Sequence, residues 1–373
     1  MLAALIIVGL LALIAVSAAL FIRIYPAFGD GPGQIKFRNY EESEHYADGK
    51  FHNRLPTKAL DTSMRSLLSL FTDKFKNQSK RTPPGELPVF PLDAERLAAL
   101  GPTSVIWLGH STSLAAIDGK ILLLDPMLGS NCSPVPGFGA KRFKYKQTIH
   151  TEQLPLLHAV LISHDHFDHL DYTTVQKLQG RVGRYFVPLG VGSRLVRFGV
   201  DRSLIQELDW WEEVEWEGLH LACTPARHFS GRALTDKNAT LWCSWVIRGK
   251  NERIFFSGDS GYDSHFKRIG ELYGPFDLTL MECGQYDPRW ENIHMTPKQT
   301  VQAQLDVKGK MMIPVHWGGF SLAPHGWTEP VELVLEEGRR QGISIAVPRI
   351  GERVAGGEDA KAHPGEKWWR TVQ

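Results

Sequence analysis

Ile162-Ser-His-Asp-His-Phe-Asp-His-Leu-Asp171 places three histidines (His164, His166, His169) and two carboxylates (Asp165, Asp168) within six positions. Residues 157–162, which lead into it, are apolar and β-branched apart from His158, the composition of a buried strand. Open α/β architectures carry their chemistry at the carboxyl ends of strands, and this strand ends in metal-binding side chains. On an extended backbone His164 and His166 point the same way and can grip one ion. Asp168 and His169 follow after the chain has begun to turn, and can serve a second ion. A merely solvated polar loop is the plain alternative. The rest of the chain decides by whether it supplies the missing ligands.

Composition narrows the class. With 373 residues, 43% of them hydrophobic, the chain can bury a large core. A net charge of +1 argues against a nucleic-acid binder that relies on a basic surface. Cys132, Cys223, Cys243 and Cys283 are far apart, so neither a disulfide framework nor a zinc ribbon is expected.

Residues 1–22 hold no ionisable side chain and are rich in Leu, Ala, Ile and Val. As a helix they rise about 33 Å, enough to cross a hydrocarbon layer. A cleaved signal peptide is the competing reading, but the run lacks a basic n-region and is long for an h-region. An uncleaved single-pass anchor over residues 1–24 is therefore expected. Arg23, Lys36 and Arg38 follow the helix and nothing basic precedes it, which leans toward a cytoplasmic catalytic part. Residues 25–100 read as a Gly- and Pro-rich linker and a helix over 57–77 that packs on the main domain, or else lies on a membrane surface. The main domain is expected over 101–350, with a polar tail at 351–373.

Within that domain short apolar runs end in chemically useful residues. Residues 105–108 end at Gly109-His110-Ser111, and a hairpin turns at Asp118-Gly119. The second hairpin strand ends at Asp125, which can cap a turn or brace a ligand histidine from behind. A loop over 132–146 carries Lys141, Arg142, Lys144 and Lys146 and can steer an anion. Later runs at 219–224, 241–247, 253–256, 276–281 and 311–315 bring His228, Asp259 and His316 to strand ends. Three histidines (His164, His166, His228) suit one catalytic zinc with an open position. Asp168, His169 and His316 supply a second ion, and the Asp259 carboxylate can bridge the pair at about 3.5–4 Å.

This set resembles the metallo-β-lactamase superfamily, and more closely its N-acylphosphatidylethanolamine-hydrolysing phospholipase D-like branch. The resemblance rests on Trp107-Leu-Gly-His-Ser-Thr112, Leu124-Asp-Pro126 and the His164–His169 motif, then on Asp209-Trp-Trp211, Gly258-Asp-Ser-Gly-Tyr262, Tyr286-Asp-Pro-Arg-Trp290 and Val315-His-Trp-Gly318. It implies an α/β fold, the four-layer αβ/βα sandwich, preceded here by the transmembrane helix. It also implies two Zn2+ ions, one on His164, His166 and His228, the other on Asp168, His169 and His316. His294 matches a substrate-contacting histidine of that branch. Phe167 stands where the lipid enzyme has Tyr, so a substrate-facing hydroxyl is missing. The loop at 133–138 also lacks the polar-aromatic pair expected there.

The resulting expectation is a membrane-anchored dinuclear zinc hydrolase, a phosphodiesterase of the phospholipase D type acting on N-acylphosphatidylethanolamine-like lipids. Asp168 would ligate one ion and orient the nucleophile. His294, with His110 behind it, would hold a phosphoryl oxygen or protonate the leaving alkoxide. Phe167, His294 and His110 are the expected substrate contacts. Two rivals share the ligand set: an esterase, lactonase or amidase of the same fold, and a membrane-tethered accessory protein without turnover.

Overall fold

The computed structural model describes every residue except 30–34, 61–62, 74–77, 99, 136, 234 and 357–366. Gly31, Pro32 and Gly33 of the expected linker and Phe75 of the expected helix lie outside the described residues.

The strands of the first sheet are β1 (Thr103–Trp107), β2 (Ser113–Ile117), β3 (Lys120–Leu124), β4 (Leu157–Leu161), β5 (Val182–Pro188) and β6 (Ile205–Leu208). The second sheet takes β7 (Glu213–Trp216), β8 (Leu219–Thr224), β9 (Ser244–Arg248) and β10 (Arg253–Phe256). It continues with β11 (Phe276–Glu282), β12 (Gly309–Val315) and β13 (Ser344–Ile345). A last strand, β14 (Arg353–Ala355), returns to the first sheet. The orders are β6-β5-β4-β3-β2-β1-β14 and β7-β8-β9-β10-β11-β12-β13. Apart from β14, which pairs antiparallel with β1, each sheet is antiparallel at its early strands and parallel at its later ones, so the two halves of the chain are built alike.

Helices cover the outer faces. α1 (Leu2–Ile24) stands apart, α2 (Met64–Asp73) precedes the sandwich, and α3 (Tyr172–Lys177) and α4 (Val191–Arg197) serve the first sheet. α5 (His265–Leu272), α6 (Pro297–Asp306) and α7 (Glu329–Gln341) serve the second. With both faces covered, β2, β8 and β11 are buried along their whole length, polar residues such as His220 and Thr279 included. The arrangement is the four-layer αβ/βα sandwich. The expected hairpin is present, with Asp118 and Gly119 at φ 47° and 76° as a two-residue I′ turn demands. Thr296 and Gln299 form a capping box that starts α6.

The two sheets are stitched at one end. His110 N donates to Trp317 O at 3.0 Å, and His316 N to His110 O at 2.9 Å. Cys243 N donates to Ser163 O at 2.9 Å and Leu241 N to Leu189 O at 2.8 Å. The last two bonds explain a difference from the expected strand over 241–247. Its first residues turn their amides to the other sheet, so the ladder begins only at Ser244.

Two expectations about the flanks are corrected. The expected linker over 25–56 is in part core: Tyr40 and Phe51 are buried, and Phe51 N donates to Asn238 O at 2.8 Å. α2, inside the helix expected over 57–77, is tied down by Arg289, which reaches Ser69 Oγ and Asp73 Oδ2, each at 2.9 Å. The stretch 351–373 is not a polar tail in its described residues. β14 pairs with β1, and Trp368 and Trp369 are buried. Aromatic area of that size, once it finds a hydrophobic neighbour, outweighs a polar local composition.

The buried Tyr40 donates its hydroxyl to Glu207 Oε2 at 3.0 Å, and Gly192 N donates to Glu207 Oε1 at 2.9 Å. Burial nonetheless pushes the Glu207 carboxyl from the ordinary 4.5 up to about 7. A raised carboxyl holds its proton in the folded chain over that window, so stability falls as pH climbs through it and the full cost is felt above it. Glu207→Gln is therefore expected to raise stability at pH 8 by about 2–3 kcal/mol and to leave it unchanged at pH 4. Urea denaturation at the two pH values checks this; an equal effect at both would contradict it.

Candidate metal centre

All the expected ligands lie at the stitched end of the sandwich. Ser163, directly past β4, donates from its backbone N and its hydroxyl to the two Asp125 oxygens, both at 2.7 Å. That leaves Ser163 Oγ to accept from His164 Nδ1 at 2.9 Å, so the His164 Nε2 lone pair faces inward. His228 Nδ1 donates to Ile293 O at 2.9 Å and fixes the same tautomer. His166 Nδ1 then stands 2.9 Å from His164 Nε2 and 3.3 Å from His228 Nε2. Three ring nitrogens thus converge on one space.

The second nest lies beside it. His169 Nδ1 is bound to Asp125 Oδ2 at 2.6 Å, which turns its Nε2 toward Asp259 Oδ2 at 3.0 Å and Asp168 Oδ2 at 3.4 Å. His316 Nδ1 is 3.2 Å from Asp259 Oδ1. Asp259 Oδ2 is also 3.8 Å from His164 Nε2 and 3.9 Å from His228 Nε2, so one carboxylate faces both nests. The buried atoms His169 Nε2 and Asp259 Oδ1 have no well-formed hydrogen bond. Orphaned polar atoms at the focus of such a cluster are what a bound cation satisfies.

Charge points the same way. Burial holds His164, His228 and His316 well below the ordinary histidine range and pushes His166 down to about 4. Neutral imidazoles offer lone pairs. Burial opposes a proton on His169 as well, but the Asp259, Asp168 and Asp125 carboxylates outweigh it and hold that ring well above the usual range. Burial pushes the Asp259 carboxyl up to about 6. Without a metal, the second nest thus needs a proton where a cation would sit. The mixed set of ring nitrogens and carboxylate oxygens fits two divalent cations of the zinc type.

Three of the expected residues fall into other surroundings. Asp125 sits behind His164 and His169, bracing both as described, and is fully buried. His110 is expected as a substrate contact, and this is corrected. Its side chain has no exposed surface, and its Nε2 meets Asp168 Oδ2 at 2.9 Å, so it braces that candidate ligand from behind. Phe167 is half-buried, with its ring edge-on to Phe28 at 6.4 Å and under the Arg232 guanidinium at 4.1 Å. His294 does face the nests, stacked on His316 at 5.1 Å and 17°. In the basic loop, Arg142 donates to Gly129 O and Met127 O, at 2.8 and 2.7 Å, and so pins the loop.

Sequence reasoning misses Glu282. It ends β11 fully buried, accepts from Met295 N at 2.8 Å, and faces His294 Nδ1 at 2.9 Å. Burial raises its carboxyl well above the ordinary range. A lone acid closing an apolar strand is its only signal. Also missed is the buried network of Arg194, Asp165 and Asp236, with Arg194 reaching the two carboxylates at 3.1 and 2.7 Å.

The backbone helps aim these groups. His110, Asp125, Gln285 and His316 all have left-handed φ, at 53°, 44°, 62° and 65°. Each follows a strand closely, so the turn swings its side chain out of the sheet's alternation.

The sequence model of the beta-lactamase superfamily domain matches residues 121–317, over half the chain. An uncharacterised protein of Mycobacterium tuberculosis is 42% identical over 339 residues, 88% of each chain. N-acyl-phosphatidylethanolamine-hydrolyzing phospholipase D 1 of Caenorhabditis elegans is 34% identical over 255 residues, 65% of this chain and 70% of that one. The solved structure of Igni18, a metallo hydrolase from the archaeon Ignicoccus hospitalis, shares the fold with a TM-score of 0.53 at 20% identity, covering 68% of this chain and 97% of that chain. With histidines and carboxylates closing on Asp259 at the strand ends of this sandwich, the chain belongs to the metallo-β-lactamase superfamily, in its N-acylphosphatidylethanolamine-hydrolysing phospholipase D-like branch.

Proposed function

We propose that the protein is a membrane-anchored, dinuclear zinc phosphodiesterase that releases an N-acylethanolamine from N-acylphosphatidylethanolamine-like lipids. The observation that carries this reading is Asp259, whose carboxylate lies within 3.9 Å of ring nitrogens in both nests. The similarity to the nematode lipid hydrolase supports the substrate class. The anchor is α1: residues Leu5–Ile24 have a mean hydropathy of 3.0, none of it buried, and are long and apolar enough to cross a membrane.

Divalent cations held by His164, His166 and His228 and by Asp168, His169 and His316 would supply Lewis acidity, making water a competent nucleophile near neutral pH and offsetting charge on a phosphoryl group. The chain's own residues supply position. Asp168 is held by His110 so that its carboxylate keeps one orientation toward the second nest. His294 is held at Nδ1 by Glu282, so its Nε2 is the end presented to a bound phosphodiester. From there it holds a non-bridging oxygen or gives a proton to the departing alkoxide. Glu282, anchored at its other oxygen by Met295 N, keeps the His294 ring in one orientation.

The test is turnover of N-acylphosphatidylethanolamine by the purified full chain, with bis-p-nitrophenyl phosphate, a carboxylic ester and a lactone beside it. The expected result is phosphatidic acid as product, loss of turnover by about 10³-fold or more with chelator, and recovery with Zn2+. Turnover of the ester or lactone alone would replace the lipid reading with an esterase or lactonase. No turnover of any substrate by the metal-loaded protein would favour the non-catalytic accessory reading.

A further inference from the structure

The segment that leaves α1 does not hang free. Its Pro26–Phe28 turn lies on the metal-binding motif. Phe28 meets the Phe167 ring edge-on at 6.4 Å, and Tyr25 meets Tyr172, just past the motif, at 6.3 Å. Ala27 is buried, and its carbonyl accepts from Arg232 Nε at 2.9 Å. The same guanidinium donates through its NH1 to Asp165 O at 2.6 Å and Leu170 O at 2.9 Å. Those two carbonyls bracket the loop that carries His166, Asp168 and His169. One side chain therefore joins the N-terminal segment to both ends of the ligand loop.

The next residue extends the join. Gly29 has φ 70°, and a Cβ there would stand 2.4 Å from Arg194 Cδ, so only glycine lets the chain pass so close. Arg194 in turn holds Asp165 and Asp236. Arg197, on the same helix as Arg194, donates to Ile24 O at 2.7 Å, at the carboxyl end of α1. Among the described residues the buried Arg232 guanidinium meets carbonyls and no carboxylate directly, which is costly. A surface tether needs none of this.

We propose that residues 25–29 are a positioning element of the metal centre: through Arg232 and Phe28 they hold the His166–His169 loop in its ligand-binding shape. The inference rests on the reading of the nests as a metal centre, not on the lipid substrate. A fork that satisfies three carbonyls at once fixes a short loop more firmly than the loop's own bonds, His169 N and Leu170 N on His166 O. Outer partners of metal ligands carry about 10–100-fold in metal affinity. The seated segment also fixes how the mouth of the centre is turned relative to α1.

The experiment compares the full chain in detergent with Tyr25→Ala/Phe28→Ala, Arg232→Lys, and the control Leu13→Ala, a residue exposed on α1. Metal-free protein is followed by amide hydrogen exchange over residues 164–171, and Zn2+-loaded protein by the rate of zinc loss to a chromogenic chelator. The expected result is exchange in that loop faster by about tenfold or more in both test variants, with zinc lost about 10–100-fold faster, and no change in the control. The double variant removes two rings from the N-terminal segment and nothing from the sandwich core, so it separates the proposal from a general folding defect. Unchanged loop exchange in that variant overturns the proposal, whatever the zinc measurement gives. Faster exchange spread over the whole sandwich overturns it as well. If the wild-type chain holds no zinc while the loop exchange still responds, the metal reading fails and the mechanical coupling stands.

Discussion

Asp259→Ala is expected to leave a folded protein that keeps at most one of two zinc ions and loses turnover by about 10⁴-fold or more. Among the described residues Asp259 is the one carboxylate within 4 Å of both nests, at 3.0 Å from His169 and 3.8 Å from His164. Without it the second nest keeps Asp168, His169 and His316 but no group that reaches across. The first nest still has three neutral nitrogens, which can hold one cation. The fold should tolerate the change, because a carboxyl pushed up to about 6 by burial is a burden on the metal-free chain at neutral pH. Metal content by mass spectrometry, turnover and thermal denaturation together check the three parts. Two bound ions with full activity in this variant would sink the dinuclear scheme.

Trp368→Ala should destabilise the protein by about 3–5 kcal/mol, the usual cost of emptying a large aromatic site. Trp368 is 2% exposed and donates to Pro348 O at 3.1 Å. It stacks on Trp317 at 5.6 Å, and Trp317 stacks on Trp107 at 5.2 Å. Trp107 Nε1 donates to His110 O at 2.7 Å, and Trp317 follows the candidate ligand His316 directly. The tryptophan stack thus backs the turn that aims His316. Urea denaturation measures the stability loss, and chelator challenge of the zinc-loaded variant should show faster metal release. A loss below about 1 kcal/mol would mean the C-terminal segment is an accessory, not part of the core.

Strand ends were the legible part of this chain. A buried strand writes itself as an apolar run, and a histidine or aspartate directly after it is conspicuous, so His164, His228, Asp259 and His316 stand out in the sequence. Residues whose partners are distant in sequence do not. Glu282 reads as the close of a strand until His294 is seen 2.9 Å away. His110 has the right type for a substrate contact, and only its burial shows that it serves Asp168 instead. Arg232 and Asp165 carry no local pattern, since their bonds run to backbone carbonyls and to Arg194. The C-terminal tryptophans lie in a stretch whose Gly, Lys and Glu content suggests solvent. Local composition misreads a segment held by strand pairing, by Glu332 and by a stack on Trp317 and Trp107, all distant in sequence.

The left-handed turns at His110, Asp125 and His316 have a consequence for how related chains can be read. Each bends an L-residue into a conformation that costs about 1 kcal/mol or more, offset in part by the freedom glycine would add to the unfolded chain. Asp125 offsets its bend with the bonds it accepts from Ser163 and His169, whereas the His110 and His316 rings are turned toward the nests. Drift without selection for chemistry therefore runs toward glycine or asparagine at 110 and 316. A chain that carries glycine at both would be a fossil of the fold, folded and catalytically silent.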